Sequence, residues 1–199
     1  MATAIEKLEQ DVTIIAAMAS EMEAYLNSDV LFWHMGTSGM PALTLGGYLM
    51  RQHRLLILRH LLNDTKQIML DGAVQQYNGV ISEKIIRFEQ KAHREQDARL
   101  RQWGEYLKDV DRGIAAKTSN YGTAVETRTM ISGLSESLRL APYKLEQRIP
   151  AQTTLLDNQL KQVWKPGDFI WFDEWQPAYP QEDYWWLYGK AKDKPKAKP

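Results

Sequence analysis

From Asp64 to Ala116 the chain keeps apolar residues at helical spacing for longer than anywhere else: Leu70, Val74, Tyr77, Ile81, Ile85, Phe88 and Ala92, then Trp103, Leu107, Val110 and Ile114. Steps of three and four put these side chains on one helical stripe. The spacing fits 11-residue intervals better than seven-residue ones, which disfavours a long left-handed coiled coil. Unbroken, such a helix would run roughly 80 Å at about 1.5 Å per residue, more than a compact chain of this size needs. Asp71-Gly72 and Asn78-Gly79 are turn-type dipeptides. The stretch therefore predicts either one long central helix or a helical hairpin broken near Asn78. Between its two apolar runs, Glu89 to Gln102 is charged. Glu95 stands four residues before Arg99 and Asp97 four before Arg101, the favourable order for ion pairs along a solvated face. The expectation for this interval is a helical segment in water, projecting past its neighbours.

Shorter helices flank this one. Thr3 and Glu6 have capping-box spacing, and Ile5, Leu8, Val12, Ile15, Ala19, Met22 and Leu26 follow in steps of three and four, predicting a helix over residues 4–27. It can pack inside a bundle or pair with a second copy as a coiled coil, so a homo-oligomer stays open. A loop over residues 34–41, with two glycines and a proline, precedes a helix that starts at Pro41 or Thr44 and runs to Leu62. Its apolar run from Leu55 to Leu62 predicts a largely buried helix, with Arg51, His53, Arg54, Arg59 and His60 on the remaining face. After a turn at Lys117 to Gly122, Thr123 and Glu126 repeat the capping-box spacing and open a helix over residues 123–141. Pro142 should stop it, and Pro150 should end a short segment before a last helix over residues 151–164.

Composition then changes. Of the seven tryptophans, five lie between Trp164 and Trp186, among clustered carboxylates. Residues 168–175 and 184–188 read as two strands of a β-hairpin, which is marginal alone and must lie on the helices or on a partner. Lys190 to Lys198 holds five lysines and predicts a disordered tail. The fold expected is thus mainly α. An up-and-down helical bundle spans residues 1–163, an aromatic-acidic extension residues 164–189, and a lysine-rich tail residues 190–199.

The absence of cysteine removes disulfides, thiol nucleophiles and cysteine-type zinc sites. Formal net charge is zero, and without the tail the body is mildly acidic, which gives no general attraction to nucleic acid. The first residues show no basic, then apolar, leader pattern and no stretch is long enough to cross a bilayer, so the expected location is cytoplasmic.

No catalytic pattern stands out. His53 and His60 are seven residues apart on one helix, but among arginines, where like charge opposes a metal cation. Gly36-Thr-Ser-Gly39 lacks the spacing of a nucleophile elbow and the lysine of a phosphate loop. If a helix starts after Thr44, the amides of Gly46 and Gly47 could hold an anion; the competing reading is that these glycines allow tight helix packing. No cofactor is implied. The sequence expectation is a non-enzymatic interaction or scaffold protein. Trp171, Asp173, Glu174, Trp175, Trp185, Trp186 and Tyr188 would contact a protein partner, or fold back as a plug on the bundle. The alternative is a small-ligand-binding or metal-dependent bundle enzyme with a pocket near Trp33, His34, Arg51, His53 and His60.

Overall fold

The computed structural model describes residues 2–114 and 121–192. Among these residues it contains six α-helices: α1 (Ala4–Asn27), α2 (Leu45–Ile57), α3 (Asp64–Glu83), α4 (Ile85–Asp111), α5 (Tyr121–Arg139) and α6 (Arg148–Val163). They form a helical bundle carrying an aromatic C-terminal segment, as the residue pattern predicts. Residues 117–120 of the expected turn and the tail beyond Lys192 lie outside the described residues, while Tyr121 and Gly122 already belong to α5, which therefore opens before Thr123 and not at it.

The α1 helix starts with the capping box. Thr3 Oγ1 accepts from Glu6 N at 3.2 Å, and Glu6 Oε2 accepts from Thr3 N at 2.7 Å. Its predicted stripe is buried from Leu8 to Leu26, while Ile5 at the end is exposed. A second buried line, Asp11, Ile14, Met18 and Tyr25, runs beside it, so α1 touches α2, α3 and α4.

The long stretch is interrupted, but at Lys84 (φ −114°, ψ 37°) and not at Asn78-Gly79. The cause is an inserted side chain. The Ile81 carbonyl, which would accept from Ile85 in an unbroken helix, accepts from the Tyr143 hydroxyl at 3.3 Å. The apolar stripe slips at the same place: Ile85 is 39% exposed, while Tyr77 and Phe88 on either side are buried. Gly72 and Gly79 stay helical because Leu70, Ala73 and Tyr77 on the opposite face are held in the core. A Cβ at either glycine would meet nothing within 4 Å. Gly72→Ala and Gly79→Ala should therefore each stabilise the fold by roughly 1 kcal/mol, the difference in helix propensity, readable as a rise in the urea midpoint at constant slope.

The charged interval of α4 departs most from expectation. Lys91, Glu95, Gln96 and Arg99 are buried, not solvated. Each binds a different part of the bundle. The Lys91 ammonium closes the C-terminus of α1, donating to the carbonyls of Tyr25, Ser28 (2.8 Å) and Val30 (3.0 Å). Gln96 Nε2 donates to Ser135 Oγ on α5 at 2.8 Å. Glu95 receives the backbone N–H of Gly46 at 3.1 Å and the Nε of Arg99 at 3.1 Å. The anion at the N-terminus of α2 is thus the chain's own Glu95. Both readings of the glycines meet here, since a Cβ on Gly46 would lie 2.8 Å from Glu95 Oε1 and 3.0 Å from Met130 Cβ. Asp97 pairs with Arg148 of α6 at 2.8 Å, not with Arg101. The interval is polar because it docks other helices' ends and side chains.

In α2 the expected division of faces is also changed. Arg54 is buried, whereas Leu56 and Ile57 are 47% and 42% exposed. The α5 helix ends at Arg139, before Pro142, as predicted. Pro150 sits inside the first turn of α6, where its missing N–H costs no helical hydrogen bond.

The C-terminal segment forms an antiparallel pair, but not from the predicted runs. Strand β1 (Trp164–Pro166) pairs with β2 (Gly189–Ala191), and residues 173–178 and 185–187 form 3₁₀ turns. The aromatic side chains pack in several directions, which suits short turns better than the two-faced alternation of a strand. Gly189 (φ +157°) lets the pair close: a Cβ there would lie 2.1 Å from the Lys165 carbonyl oxygen. Lys190 is thus paired in β2 and not part of a disordered tail.

Candidate ligand pocket

The second buried line of α1 contains one charge, Asp11. Opposite it, α2 presents Arg51 and Arg54, three residues apart and so on one face. Asp11 Oδ1 accepts from Arg51 Nε at 3.1 Å, and its Oδ2 accepts from Arg54 Nη2. Arg51 Nη1 donates to the Gly47 carbonyl at 2.9 Å, and its Nη2 makes no hydrogen bond among the described residues. The Arg54 guanidinium lies 4.0 Å from the ring centre of Trp175, and its Nε has no partner although it is shielded from water. The Trp175 Nε1 is likewise buried and unpartnered.

These groups line a cavity of about 780 Å³, between α1, α2, the loop at residues 39–41, the α5 residue Glu126 and the segment 170–175. Volumes of roughly 300–1,000 Å³ are usual for small-ligand sites. Ile14, Met40, Ile170, Trp171 and Phe172 form an apolar wall, and Lys7 and Gln10 of α1 a polar rim. Trp171 and Trp175 meet edge to face with centroids 6.3 Å apart, so a ligand ring would rest on an outer face and not between them.

Glu126 is half-buried at the cavity and forms no hydrogen bond or ion pair among the described residues. Burial raises its pKa and, assisted by Asp11, outweighs the opposing pull of Arg51 and Arg54. With the folded-state value above the unfolded one, the folded protein holds the proton more tightly. Stability from this group is complete below the unfolded pKa and is lost as pH rises through the folded value. Glu126→Gln should therefore melt higher than the parent at about pH 7, with the gap closing toward about pH 4, as measured by paired thermal scans across that range.

Of the residues expected around a pocket, only Arg51 lines this one. Trp33 Nε1 donates to Glu21 at 2.6 Å, and His34 and His60 are exposed. His53 Nε2 hydrogen-bonds the Ala178 carbonyl at 2.7 Å, which ties α2 to the C-terminal segment. The expected partner-contact residues divide as well. Trp175 and Trp186 are buried, and Trp171, Trp185 and Tyr188 are half-buried. Asp173 and Glu174 are exposed. Asp11, Arg54 and Glu126 were not recognisable as a set, because they come from three helices. One signal was present: Asp11 is the lone charge in the line Leu8, Asp11, Ile15, Met18, Met22, Tyr25.

Among the described residues, no group of three or more histidine and carboxylate side chains could hold a metal ion, and no helix is long and apolar enough to cross a membrane. The chain matches no family model, no curated protein and no solved structure.

Proposed function

We propose that this chain is a small-ligand-binding helical protein whose site is the cavity between Asp11, Arg51, Arg54, Glu126 and the aromatic segment 170–175. The observation that carries this reading is a cavity with Trp171, Phe172 and Trp175 on one side, on which Glu126 has no hydrogen-bond or ion-pair partner and Arg51 leaves Nη2 uncommitted among the described residues. A ligand group that bonds either charged side chain forms a charge-assisted hydrogen bond, stronger than a neutral one. The ordinary setting for such a protein is the cytoplasm. The test is a thermal-shift panel of metabolite-sized compounds run on the parent and on Gln10→Trp, which fills the mouth from an exposed position on α1. At least one compound should stabilise the parent and leave the variant unmoved. A panel that moves neither, or moves both equally, removes the proposal.

A second reading, contact with a protein partner or another copy of the chain, is supported by the outward face of α3 and the start of α4, where Ile68 and Ile86 are 73% and 69% exposed. Sedimentation of the parent beside an Ile68→Lys, Ile86→Lys variant tests self-association. Monomer at every concentration in both removes the homo-oligomer.

A further inference from the structure

The inner end of the cavity sets Arg51 and Arg54 beside Asp11 and Glu126, and the exposed Lys7 of α1, which donates to Gln10 Oε1 at 2.9 Å, adds a further cation at the rim. The unused capacity of the inner groups is uneven. Asp11 is occupied by both arginines, whereas Glu126 accepts from no donor among the described residues. On the cationic side, Arg51 spends Nε on Asp11 and Nη1 on Gly47, leaving Nη2. Among the described residues the inner end thus offers one free carboxylate and one free guanidinium edge, beside Ile14, Trp171 and Phe172.

Resting on the ligand-binding reading above, we infer that the ligand is a dipolar molecule with a large apolar body, the class represented by the ammonium and carboxylate of an apolar α-amino acid. Glu126 receives the ammonium, Arg51 Nη2 donates to the carboxylate, and Trp171, Phe172 and Ile14 cover the side chain. Charge-assisted hydrogen bonds at both ends are stronger than neutral ones, and a molecule with only one of the two charges leaves either Glu126 or Arg51 unanswered.

Calorimetric titration of the full chain with L-phenylalanine, phenethylamine and 3-phenylpropionate tests this, because the two analogues each lack one charge. Phenylalanine should bind at least about tenfold more tightly than either analogue. Glu126→Gln should weaken phenylalanine at least about tenfold and leave 3-phenylpropionate unchanged. Arg51→Lys keeps a cation opposite Asp11 and removes Nη2; it should weaken phenylalanine and spare phenethylamine. If either analogue binds as tightly as phenylalanine, or Glu126→Gln binds it equally well, the dipolar class is overturned while the pocket stands. If none of the three binds but a panel compound does, the class is again overturned alone. If neither the three probes nor the panel bind, both readings fall.

Discussion

Glu95→Gln should lower the stability of this protein by about 3–5 kcal/mol and its melting temperature by roughly 10 °C. Glu95 is fully buried and both its oxygens are committed, one to Arg99 Nε and one to the first turn of α2 through Gly46 N, each at 3.1 Å. A carboxamide has nearly the same shape but turns one acceptor into a donor. Whichever way it is placed, an N–H faces another N–H, and the Arg99 guanidinium loses its counter-charge in a buried site. Arg99 keeps only neutral acceptors, Thr44 Oγ1 at 3.1 Å and Gln102 Oε1 at 3.2 Å. Adding Arg99→Met should recover part of the loss, because no buried charge then stands alone. Chemical denaturation of the parent, both single variants and the double variant measures each quantity. Additive losses would show that the buried pair is not coupled.

The second large effect is at Trp186. Trp186→Ala should cost about 3–5 kcal/mol and loosen the segment from Phe169 to Leu187. This indole is 3% exposed, and Arg128 covers one face at 3.8 Å from the ring centre. Its Nε1 donates to Thr129 Oγ1 at 3.3 Å, and its carbonyl accepts from the Tyr121 hydroxyl at 2.6 Å. Arg128 is itself held by Asp157 of α6 through two hydrogen bonds of 2.7 and 2.8 Å. Removing the ring therefore leaves a void and uncovers a buried cation between α5 and α6. Amide hydrogen exchange should speed up in residues 169–187 and the melting temperature should fall. Unchanged protection with an unchanged melting temperature would show that the segment is held elsewhere. For the same reason a chain cut at Val163 would lose the covering of Arg54 and Arg128 together.

Arg54 with Trp175 and Arg128 with Trp186 repeat one arrangement: an arginine anchored by an aspartate from another helix, with a tryptophan of the C-terminal segment on its face. Neither pairing could be read from spacing. Arg54 and Trp175 are 121 positions apart and belong to segments of opposite character, one basic and one acidic. The mixture of tryptophan and carboxylate in the extension was legible as an adhesive surface. What it adheres to depends on distance in space.

Helix positions, the capping box at Thr3, the helix end before Pro142 and the bundle class follow from local rules, because apolar periodicity, caps and prolines act within a few residues along the chain. The cap on α2 was half legible: Thr44 and the two glycines marked a helix start open to an anion, but Glu95 lies 49 residues away from Gly46. The break at Lys84 was decided by a tyrosine hydroxyl arriving from residue 143, and burial of Leu70, Ala73 and Tyr77 in the core kept Asn78-Gly79 helical. The charged interval of α4 misled for a related reason. Glu95 and Arg99 have the same spacing whether a helix faces water or the ends of other helices, and only the packing of α1, α2 and α5 around α4 settles which. The candidate site belongs wholly to that second level. Its carboxylates and arginines are unremarkable within their own helices, and they become a candidate site only where tertiary packing gives Asp11 to two arginines and leaves Glu126 with no ion pair among the described residues.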